Sequence, residues 1–338
     1  MTTYYRPLAQ FGPARTPHAQ PLAGGWCWFD QVEVLRREGS NKIIPAVDVP
    51  DEVMQNLTRP RVDIAGLGMG APKLMGILNV TPDSFSDGGA FLQADAAVSH
   101  AQAMIRAGAD ILDIGGESTR PGADFVPAEL EISRTVPVIE TLVDHIAAPI
   151  SIDTRKAAVA INAIGAGAGI VNDVSGLSYD PELIEFVSNN HLPVCIMHAQ
   201  GDPKTMQNDP VYDDVLLDVY DYLSDRIKVA EDAGIERQNI IIDPGIGFGK
   251  TLEHNLQILQ NLSLFHGLGC VVLLGASRKR FIGTLGDAPN AADRSAGSIA
   301  VTLAGVAQGV QIHRVHDIGE TRQALKLWAA VTGMGQSE

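Results

Sequence analysis

Short apolar runs alternate with longer amphipathic stretches from about residue 72 to the end of the chain. Each run is rich in Val, Ile and Leu, and the stretch that follows it has apolar residues at helical spacing. The pattern therefore predicts strand–helix units in succession. The predicted strands span 73–80, 109–116, 148–154, 168–174, 192–198, 239–245, 270–277 and 310–317.

Eight strands, each followed by a helix, are typical of a (β/α)8 barrel, the TIM barrel of the α/β class. A doubly wound sheet usually has fewer strands and a Gly-rich dinucleotide turn after the first of them. The segment in that position, "NVTPDSFSDGG" at 79–89, contains no GxGxxG. We predict a TIM barrel over residues 71–334. Its helical stretches lie at 95–109, 127–146, 154–167, 181–190, 211–234, 253–266, 290–309 and 317–332.

Residues 1–70 lack this alternation and form a predicted N-terminal extension. Within residues 24–65 the pattern indicates two short strands and a short helix that begins near Pro50–Asp51. Two interpretations stay open: the extension is a loosely ordered arm that packs on the barrel, or it is a docking or dimerisation element.

The net charge of −15 argues against a general nucleic-acid or membrane surface. Any bound anion must therefore meet a local positive pocket. The three cysteines, Cys27, Cys195 and Cys270, lie far apart, so they are expected to be core thiols in a reducing compartment. No apolar run reaches the roughly 18 residues of a membrane span, and the first residues do not resemble a secretory signal. We expect a cytoplasmic protein.

Polar residues occur at the carboxyl end of nearly every predicted strand, which is the end where barrel enzymes place their active sites. One such residue alone is usually a turn or cap residue. Polar groups at the ends of eight strands together indicate a bound polar ligand, because unpaired buried polar groups are costly. These residues are Asn79, Asp113, Asp153, Asn172, Asp173, His198, Asp243, Ser277, Arg278, Lys279, Arg314 and His316.

The residue types at these strand ends suggest which ligand binds there. The carboxylates and the amide among them suit a flat nitrogen heterocycle with several N–H donors, and Lys279 can donate to ring acceptors. Arg278, Arg314 and His316 follow the last two strands, where barrels commonly hold phosphate. Asn79 offers a hard oxygen to Mg²⁺, which prefers one or two protein groups plus phosphate oxygens.

Two other motifs are rejected. "DPGIGFGKT" at 243–251 looks like a phosphate-binding loop, but Pro244 occupies the position where that motif requires glycine. "VHD" at 315–317 has no matching cluster of metal ligands that would indicate a metal-dependent hydrolase.

Several motifs together resemble the dihydropteroate synthase family of folate biosynthesis. The resemblance runs in order from about residue 72 to 332, and its first two motifs are highly specific. The motifs are "MGILNVTPDSFSDGG", "DIGGESTRPGA", "SIDT", "IVNDVSG", "MHAQGDPKTMQ", "DPGIGFGK", "SRKRFIG" and "RVHD".

The resemblance implies condensation of 7,8-dihydropterin-6-ylmethyl pyrophosphate with p-aminobenzoate, which gives dihydropteroate and pyrophosphate. It implies a pterin site at Asp113, Asp153, Asn172, Met197, Asp243, Gly247, Phe248 and Lys279. It implies a pyrophosphate site at Asn79, Arg120, Arg314 and His316, with Mg²⁺ on Asn79. It implies a p-aminobenzoate site at Phe85, Thr119, Pro121, Lys279 and Arg280. The implied catalytic residues are Asp153, Asp243, Lys279, Arg314 and His316.

The resemblance also implies that the loops at 81–89 and 117–125 fold over the pyrophosphate and shape the p-aminobenzoate site. Gly88, Gly89 and Gly122 would supply hinge freedom, and closure would exclude water from a reactive pterin centre. The sequence departs from the family at Arg280, where the family commonly has serine. Either Arg280 pairs with the p-aminobenzoate carboxylate, or it points to solvent and main-chain amides at the helix start bind that anion.

Two alternatives are weighed against this prediction. A pterin-dependent methyltransferase would share the barrel but would not need the two loops or the pair of Arg314 and His316. A non-catalytic pterin-binding paralogue would not need an intact anion site. The family further implies a homodimer and inhibition by sulfonamides, which mimic p-aminobenzoate.

Overall fold

In the computed structural model, eight parallel strands close into a barrel, which confirms the predicted fold. The structure describes residues 2–80, 90–118, 124–201 and 206–334. Each barrel strand lies within its predicted range. The numbering starts at β6 because five short strands of the extension precede the barrel. In chain order the barrel strands are β6 (Lys73–Asn79), β7 (Ile111–Gly115), β8 (Ile150–Asp153), β9 (Ile170–Asp173), β10 (Val194–Met197), β11 (Ile240–Asp243), β12 (Val271–Leu274) and β13 (Ile312–Val315).

Helices surround the barrel, and they lie in the segments that connect one strand to the next. Two of the predicted helices are in part 3-10 helix. The segment 253–266 divides into a helix and a 3-10 turn at Leu262–Leu268, and the segment 290–309 begins with a 3-10 turn at Ala291–Arg294. The helices are α1 (Asp51–Thr58), α2 (Ala90–Ala107), α3 (Ala128–Val143), α4 (Ala157–Gly165), α5 (Pro181–Asn189), α6 (Val215–Asp232), α7 (Leu252–Gln260), α8 (Arg280–Leu285), α9 (Ser295–Val306) and α10 (Ile318–Thr332).

Two apolar layers support the barrel. A small cluster fills its interior near the amino ends of the strands, with Met75, Ile111 and Cys195 among its members. A larger cluster packs the outer faces of the strands against the helices. Cys27, Cys195 and Cys270 are buried free thiols, as predicted for core cysteines.

Strand register determines which polar residues become neighbours. Asn79 pairs with Gly115, Gly115 pairs with Asp153, and Asp153 pairs with Asn172. These residues therefore form one row across four adjacent strands. Because alternate residues of a strand face the same side, Asp113 lies one inward-facing layer below this row.

The extension forms two small antiparallel sheets. β1 pairs with β4 and β4 pairs with β5, while β2 pairs with β3. Helix α1 begins at Asp51, directly after Pro50 as the sequence predicts. The strands are β1 (Tyr4–Pro7), β2 (Gln20–Pro21), β3 (Trp28–Phe29), β4 (Gln31–Leu35) and β5 (Lys42–Pro45).

Specific contacts join the extension to the barrel. Tyr4 Oη donates to Asp221 Oδ2 at 2.8 Å, and Trp26 Nε1 donates to the Val306 carbonyl at 2.8 Å. Further along the chain, Ile64 and Met69 are fully buried in the interior cluster, so they close the floor of the barrel. Among the described helices, none combines the length and the apolar character that crossing a membrane requires.

Candidate active site

Three strands bring two carboxylates and a guanidinium into direct contact at the carboxyl end of the barrel. Arg314 Nε donates to Asp113 Oδ2 at 2.6 Å, and Arg314 Nη2 donates to Asp153 Oδ2 at 2.6 Å. Asn172 Nδ2 donates to the same Asp113 Oδ2 at 3.1 Å. Asp113, Asp153 and Asn172 are all buried, so the four side chains form one enclosed polar group.

The second oxygen of each carboxylate in this group has no donor. Asp113 Oδ1 and Asp153 Oδ1 are buried and lack a hydrogen-bond partner within the described part of the chain. A buried acceptor without a donor costs about 1–3 kcal/mol. Two such oxygens in one enclosed polar group therefore favour a ligand that brings N–H donors to them.

Burial also changes the proton affinity of this group. It raises the pKa of Asp153 to about 7; the nearby Arg314 opposes the rise and the nearby Asp113 adds to it. Near neutral pH, a substantial fraction of the Asp153 carboxyl groups therefore holds a proton when no ligand is bound.

We expect pterin affinity to increase with pH as Asp153 loses this proton. A protonated carboxyl must release its proton before it can accept two ligand N–H groups, so affinity should rise as the pH approaches about 7 and level off above that pH. Titration calorimetry in buffers of different ionisation enthalpy would show proton release on binding. In Asp153→Asn the pH dependence should shrink; an equal dependence in that variant would assign it to another group.

The second half of the site contains Asp243, Lys279 and the loop at residues 244–250, which follows β11 and contacts both side chains. The main-chain N–H of Gly245 donates to Asp243 Oδ1 at 2.8 Å. Lys279 Nζ donates to the Ile246 carbonyl and lies 4.4 Å from the centre of the Phe248 ring. The loop thus links the carboxylate at the end of β11 to the lysine that follows β12.

The same surroundings shift both ionisable groups of this half toward their neutral forms. Burial raises the pKa of Asp243, although Lys279 opposes the rise. Burial lowers the pKa of Lys279 to about 8, although Asp243 opposes that shift. Both groups are therefore poised to exchange hydrogen bonds with a ligand that has donors as well as acceptors.

Glycines keep the approaches to these side chains open. A Cβ at Gly275 would lie 3.2 Å from Asp243 Oδ2, and a Cβ at Gly247 would lie 3.1 Å from Lys279 Cδ. Gly247 also has a φ of +82°, a left-handed conformation that other residues rarely adopt. Met197 is buried beside Asp243, its partner in the strand register.

A buried lysine that was not among the predicted site residues holds this loop in place. Lys250 Nζ lies 2.8 Å from His198 Nδ1 and donates to the carbonyls of Gly245 at 2.8 Å and Phe248 at 3.1 Å. Burial lowers the pKa of Lys250 well below its usual value and that of His198 to about 2. His198 was predicted only as a polar strand end, and it turns out to be neutral and to pair with Lys250.

Replacing Lys250 by Met should weaken pterin binding by about 10–100-fold. The variant keeps the length of the side chain but leaves three acceptors without a donor, each worth about 1–3 kcal/mol, so the loop that carries Phe248 loses its position. Calorimetry with dihydropterin pyrophosphate measures the change. Lys228→Met, at an exposed lysine on α6, is the matched control. Equal affinity in both variants would show that Lys250 does not position the loop.

The turn after β12 is strained in a way that places Lys279. Arg278 has a φ of +58°, which costs an L-residue about 1–2 kcal/mol. Neighbours hold it there: Arg278 Nε donates to Asp317 Oδ2 at 3.1 Å, and Arg294 Nη1 donates to the Arg278 carbonyl at 2.9 Å. Strain retained in this way is common at functional sites.

The predicted anion-binding residues are only partly grouped. His316 Nδ1 lies 3.0 Å from Ser277 Oγ, which joins the ends of β12 and β13. The Arg314 guanidinium points instead to Asp113 and Asp153, between the predicted pterin carboxylates. Arg278 pairs with Asp317, so it is a structural residue. Arg280 is exposed at the first position of α8.

Asn79 stands at the end of β6, on the same rim. A Cβ at Gly115 would lie 3.7 Å from Asn79 Oδ1 and 3.6 Å from Asp153 Oδ2, so these two oxygens share one small space. Their chemistry fits Mg²⁺, which accepts hard oxygen ligands. Within the described ranges, no group of three or more His, Cys, Asp or Glu side chains could hold a metal by itself.

A second network missed by the sequence analysis lies behind the loop that follows β7. Lys156 Nζ donates to Glu117 Oε2 at 3.0 Å, to Glu131 Oε2 at 2.6 Å and to the Val126 carbonyl at 2.7 Å. All three charged groups are buried. The network fixes the described ends of this loop to the barrel.

Four predicted site residues lie outside the described residues: Phe85, Thr119, Arg120 and Pro121. The same is true of the predicted hinge glycines Gly88, Gly89 and Gly122. Their roles remain predictions.

The fold and the site define a class: a TIM barrel enzyme with an enclosed, hydrogen-bonding pocket at the carboxyl ends of its strands. Residues 75–316 match the family described as pterin binding enzyme. The Escherichia coli dihydropteroate synthase is 46% identical over 261 residues, which cover 77% of this chain and 92% of the relative. The chain belongs to the dihydropteroate synthases of the pterin-binding enzyme family.

Solved structures agree with this assignment. The Xanthomonas albilineans dihydropteroate synthase with 4-aminobenzoic acid is 47% identical, covers 80% of this chain and 98% of its own, and has a TM-score of 0.76. The Yersinia pestis dihydropteroate synthase with a sulfonamide drug is 44% identical, covers 81% of this chain and 99% of its own, and has a TM-score of 0.75. These findings support the synthase and not the methyltransferase or the non-catalytic paralogue.

Proposed function

We propose that this enzyme condenses 7,8-dihydropterin-6-ylmethyl pyrophosphate with p-aminobenzoate and releases dihydropteroate and pyrophosphate. The observation that carries the proposal is the pair of buried carboxylate oxygens, Asp113 Oδ1 and Asp153 Oδ1, that lack donors. A dihydropterin ring has the N–H groups that these oxygens require. The similarity to dihydropteroate synthases supports the same reaction.

The pterin ring is held at its edges in this proposal. Asp113, Asp153 and Asn172 meet one edge of the ring, and Asp243 and Lys279 meet the other. The Phe248 ring and Met197 supply apolar surface. Enclosure strengthens each hydrogen bond, because the low dielectric of a buried site weakens competition from water.

The reaction breaks the bond between the pterin methylene carbon and the pyrophosphate oxygen, and the electron pair leaves with pyrophosphate. The electron-rich ring stabilises the cation that forms at the methylene carbon. The carboxylates of Asp153 and Asp243 favour that positive charge. The amine nitrogen of p-aminobenzoate then bonds to the carbon and loses one proton. No side chain needs to act as a nucleophile.

The leaving group requires positive charge near the rim. Arg314 and His316 come from the end of β13, and Arg120 would join them from the loop after β7. We propose that Asn79 provides the protein ligand for Mg²⁺. When bound, the ion would neutralise charge on the pyrophosphate oxygens.

Acceptor binding is proposed from the loops and from α8. Phe85, Thr119, Pro121, Lys279 and Arg280 would surround p-aminobenzoate. The exposed position of Arg280 leaves its guanidinium available to the carboxylate of that substrate. Since a sulfonamide occupies the Yersinia pestis relative, sulfonamides are proposed as inhibitors of this enzyme as well.

We also propose an oligomeric state and a cellular location. Exposed Leu327 and Val331 on α10 offer an apolar surface to a second copy, which supports a homodimer. The three free thiols are usual in a reducing compartment, which supports the cytoplasm.

Pyrophosphate release by the purified chain, given dihydropterin pyrophosphate and Mg²⁺, tests the proposed function. Release that depends on p-aminobenzoate and yields dihydropteroate is the expected result. Binding of the pterin without any release would contradict it. Omitting Mg²⁺, with and without added chelator, tests the metal separately.

A further inference from the structure

A cavity of about 240 Å³ lies at the end of the barrel opposite the candidate active site. It opens where β11 and β12 begin, between those strands and the segment that follows α1. Its charged lining residues are Arg59, Arg61, Arg237 and Glu236. The cavity therefore lies between the N-terminal extension and the floor of the barrel.

Arg61 brings a positive charge into this cavity without a carboxylate to balance it. Its guanidinium donates only to main-chain carbonyls: those of Cys270 at 2.9 Å, Arg59 at 3.0 Å, Asn56 at 2.9 Å and His266 at 3.0 Å. These four bonds use four of its five N–H groups. One N–H group on Nη1 has no acceptor among the described residues, and no described carboxylate pairs with the guanidinium.

The neighbouring arginines differ in how far they are neutralised. Arg237 forms a two-bond ion pair with Glu231, at 2.8 and 2.7 Å. Arg59 has an exposed side chain and no ion pair with any residue that the structure describes. Glu236 is the single carboxylate in the lining, and it accepts a hydrogen bond from Gln238.

This local excess of positive charge stands against the overall charge of the chain, which is −15. A general electrostatic surface does not account for it. Guanidinium groups bind phosphate well, because their planar N–H groups match its oxygens. By the same measure of volume, one water needs about 10–15 Å³, so a cavity of about 240 Å³ has room for a phosphate with a small organic group attached.

We propose that this cavity binds a phosphate group, with Arg59 and Arg61 as its main ligands. Val62 and Val271 form an apolar part of the lining and would contact the body of a phosphorylated metabolite. The site is separate from the proposed pterin site, since it lies at the amino ends of the strands. A bound phosphate would strengthen the junction between the extension and the barrel.

Titration calorimetry of the full chain with inorganic phosphate tests this site. The wild type, Arg59→Gln and Arg36→Gln are compared at constant ionic strength. Arg36 is exposed on the extension and outside the cavity, so its variant removes the same charge elsewhere. We expect Arg59→Gln to weaken phosphate binding at least tenfold and Arg36→Gln to leave it unchanged.

Thermal unfolding gives a second readout. Phosphate should raise the melting temperature of the wild type and of Arg36→Gln more than that of Arg59→Gln, because a ligand stabilises only the state that binds it. Glycerol phosphate, titrated in the same way, distinguishes the source of the group. Tighter binding than inorganic phosphate indicates a phosphorylated metabolite, and weaker binding indicates free phosphate.

Two results would overturn the proposal. One is the absence of phosphate binding to the wild type at millimolar concentration. The other is equal binding by all three proteins, which would place the phosphate elsewhere, for example at the proposed pyrophosphate site. Pyrophosphate release from dihydropterin pyrophosphate is measured separately, and Arg59→Gln should keep it, so failure here is distinguishable from failure of the proposed function.

Discussion

Replacing Asp243 by Ala should lower the affinity for dihydropterin pyrophosphate by about 10³-fold. Asp243 is buried at the end of β11, and its Oδ2 faces the open space above Gly275. A carboxylate there can accept two N–H groups of the pterin, and each charge-assisted bond contributes about 1.5–3 kcal/mol. The variant loses both bonds.

Calorimetry with dihydropterin pyrophosphate measures this loss. Asp243→Asn keeps the bond from the Gly245 N–H but replaces one acceptor by a donor, so we expect weak binding there too. Asp232→Asn is the control, since it changes an exposed carboxylate at the carboxyl end of α6, where Asp232 pairs with Lys228. If Asp243→Ala binds the substrate as tightly as the wild type, the assignment of the pterin pocket is wrong.

Replacing Arg314 by Met should lower kcat/KM by about 10³-fold and also destabilise the fold. Arg314 is the ion-pair partner of both Asp113 and Asp153. Its removal leaves two buried carboxylates facing each other, and breaking a buried pair costs about 3–5 kcal/mol. The proposed reaction loses a cation near the leaving pyrophosphate as well, which is worth about 10²–10³-fold in rate.

Urea unfolding and steady-state kinetics separate the two effects. In Arg314→Met the pKa of Asp153 should rise further because Arg314 no longer opposes the effect of burial, so the stability lost near neutral pH should recover partly as the pH falls. Arg322→Met removes an arginine that pairs with Asp110 at the other end of the barrel. That control should lose stability but keep kcat/KM. A normal rate in Arg314→Met would remove Arg314 from the proposed mechanism.

The position of Arg314 relates the proposed pterin site to the proposed pyrophosphate site. From the sequence, Arg314 was predicted to bind the leaving pyrophosphate and to be catalytic, and the structure places its guanidinium on Asp113 and Asp153. A side chain of this length, rooted at the end of β13, reaches that pocket directly. A ligand that donates to Asp113 Oδ1 and Asp153 Oδ1 would therefore bind beside the Arg314 guanidinium.

Much of the fold was predictable from the sequence, because strand and helix periodicity is local information. Eight apolar runs with eight amphipathic stretches allow few architectures other than a barrel, and the chirality and closure rules then place every strand end on one rim. The polar residues at the strand ends followed from that rule, whereas the other candidates came from the resemblance to the family. Asp113, Asp153, Asn172 and Asp243 were predicted from their positions at strand ends, and the structure brings them together.

The roles of the basic residues were less predictable. Arg278 and Lys279 are adjacent in the sequence, yet one pairs with Asp317 on the outside and the other reaches the pocket. The left-handed backbone of Arg278 turns the chain between them. The sequence showed a run of charges there, but a run of charges does not reveal which side chain points inward.

What the sequence determined by itself is the barrel, the rim of polar strand ends and, through its motifs, the family. Only the tertiary structure decided which of these groups pair. Arg314 meets Asp113 across 201 positions of the chain, and Lys250 meets His198 across 52. Such contacts depend on strand register and side-chain direction, which arise from packing the whole barrel. The same holds for the cavity beside Arg61, because its walls come from segments that meet only after the extension docks.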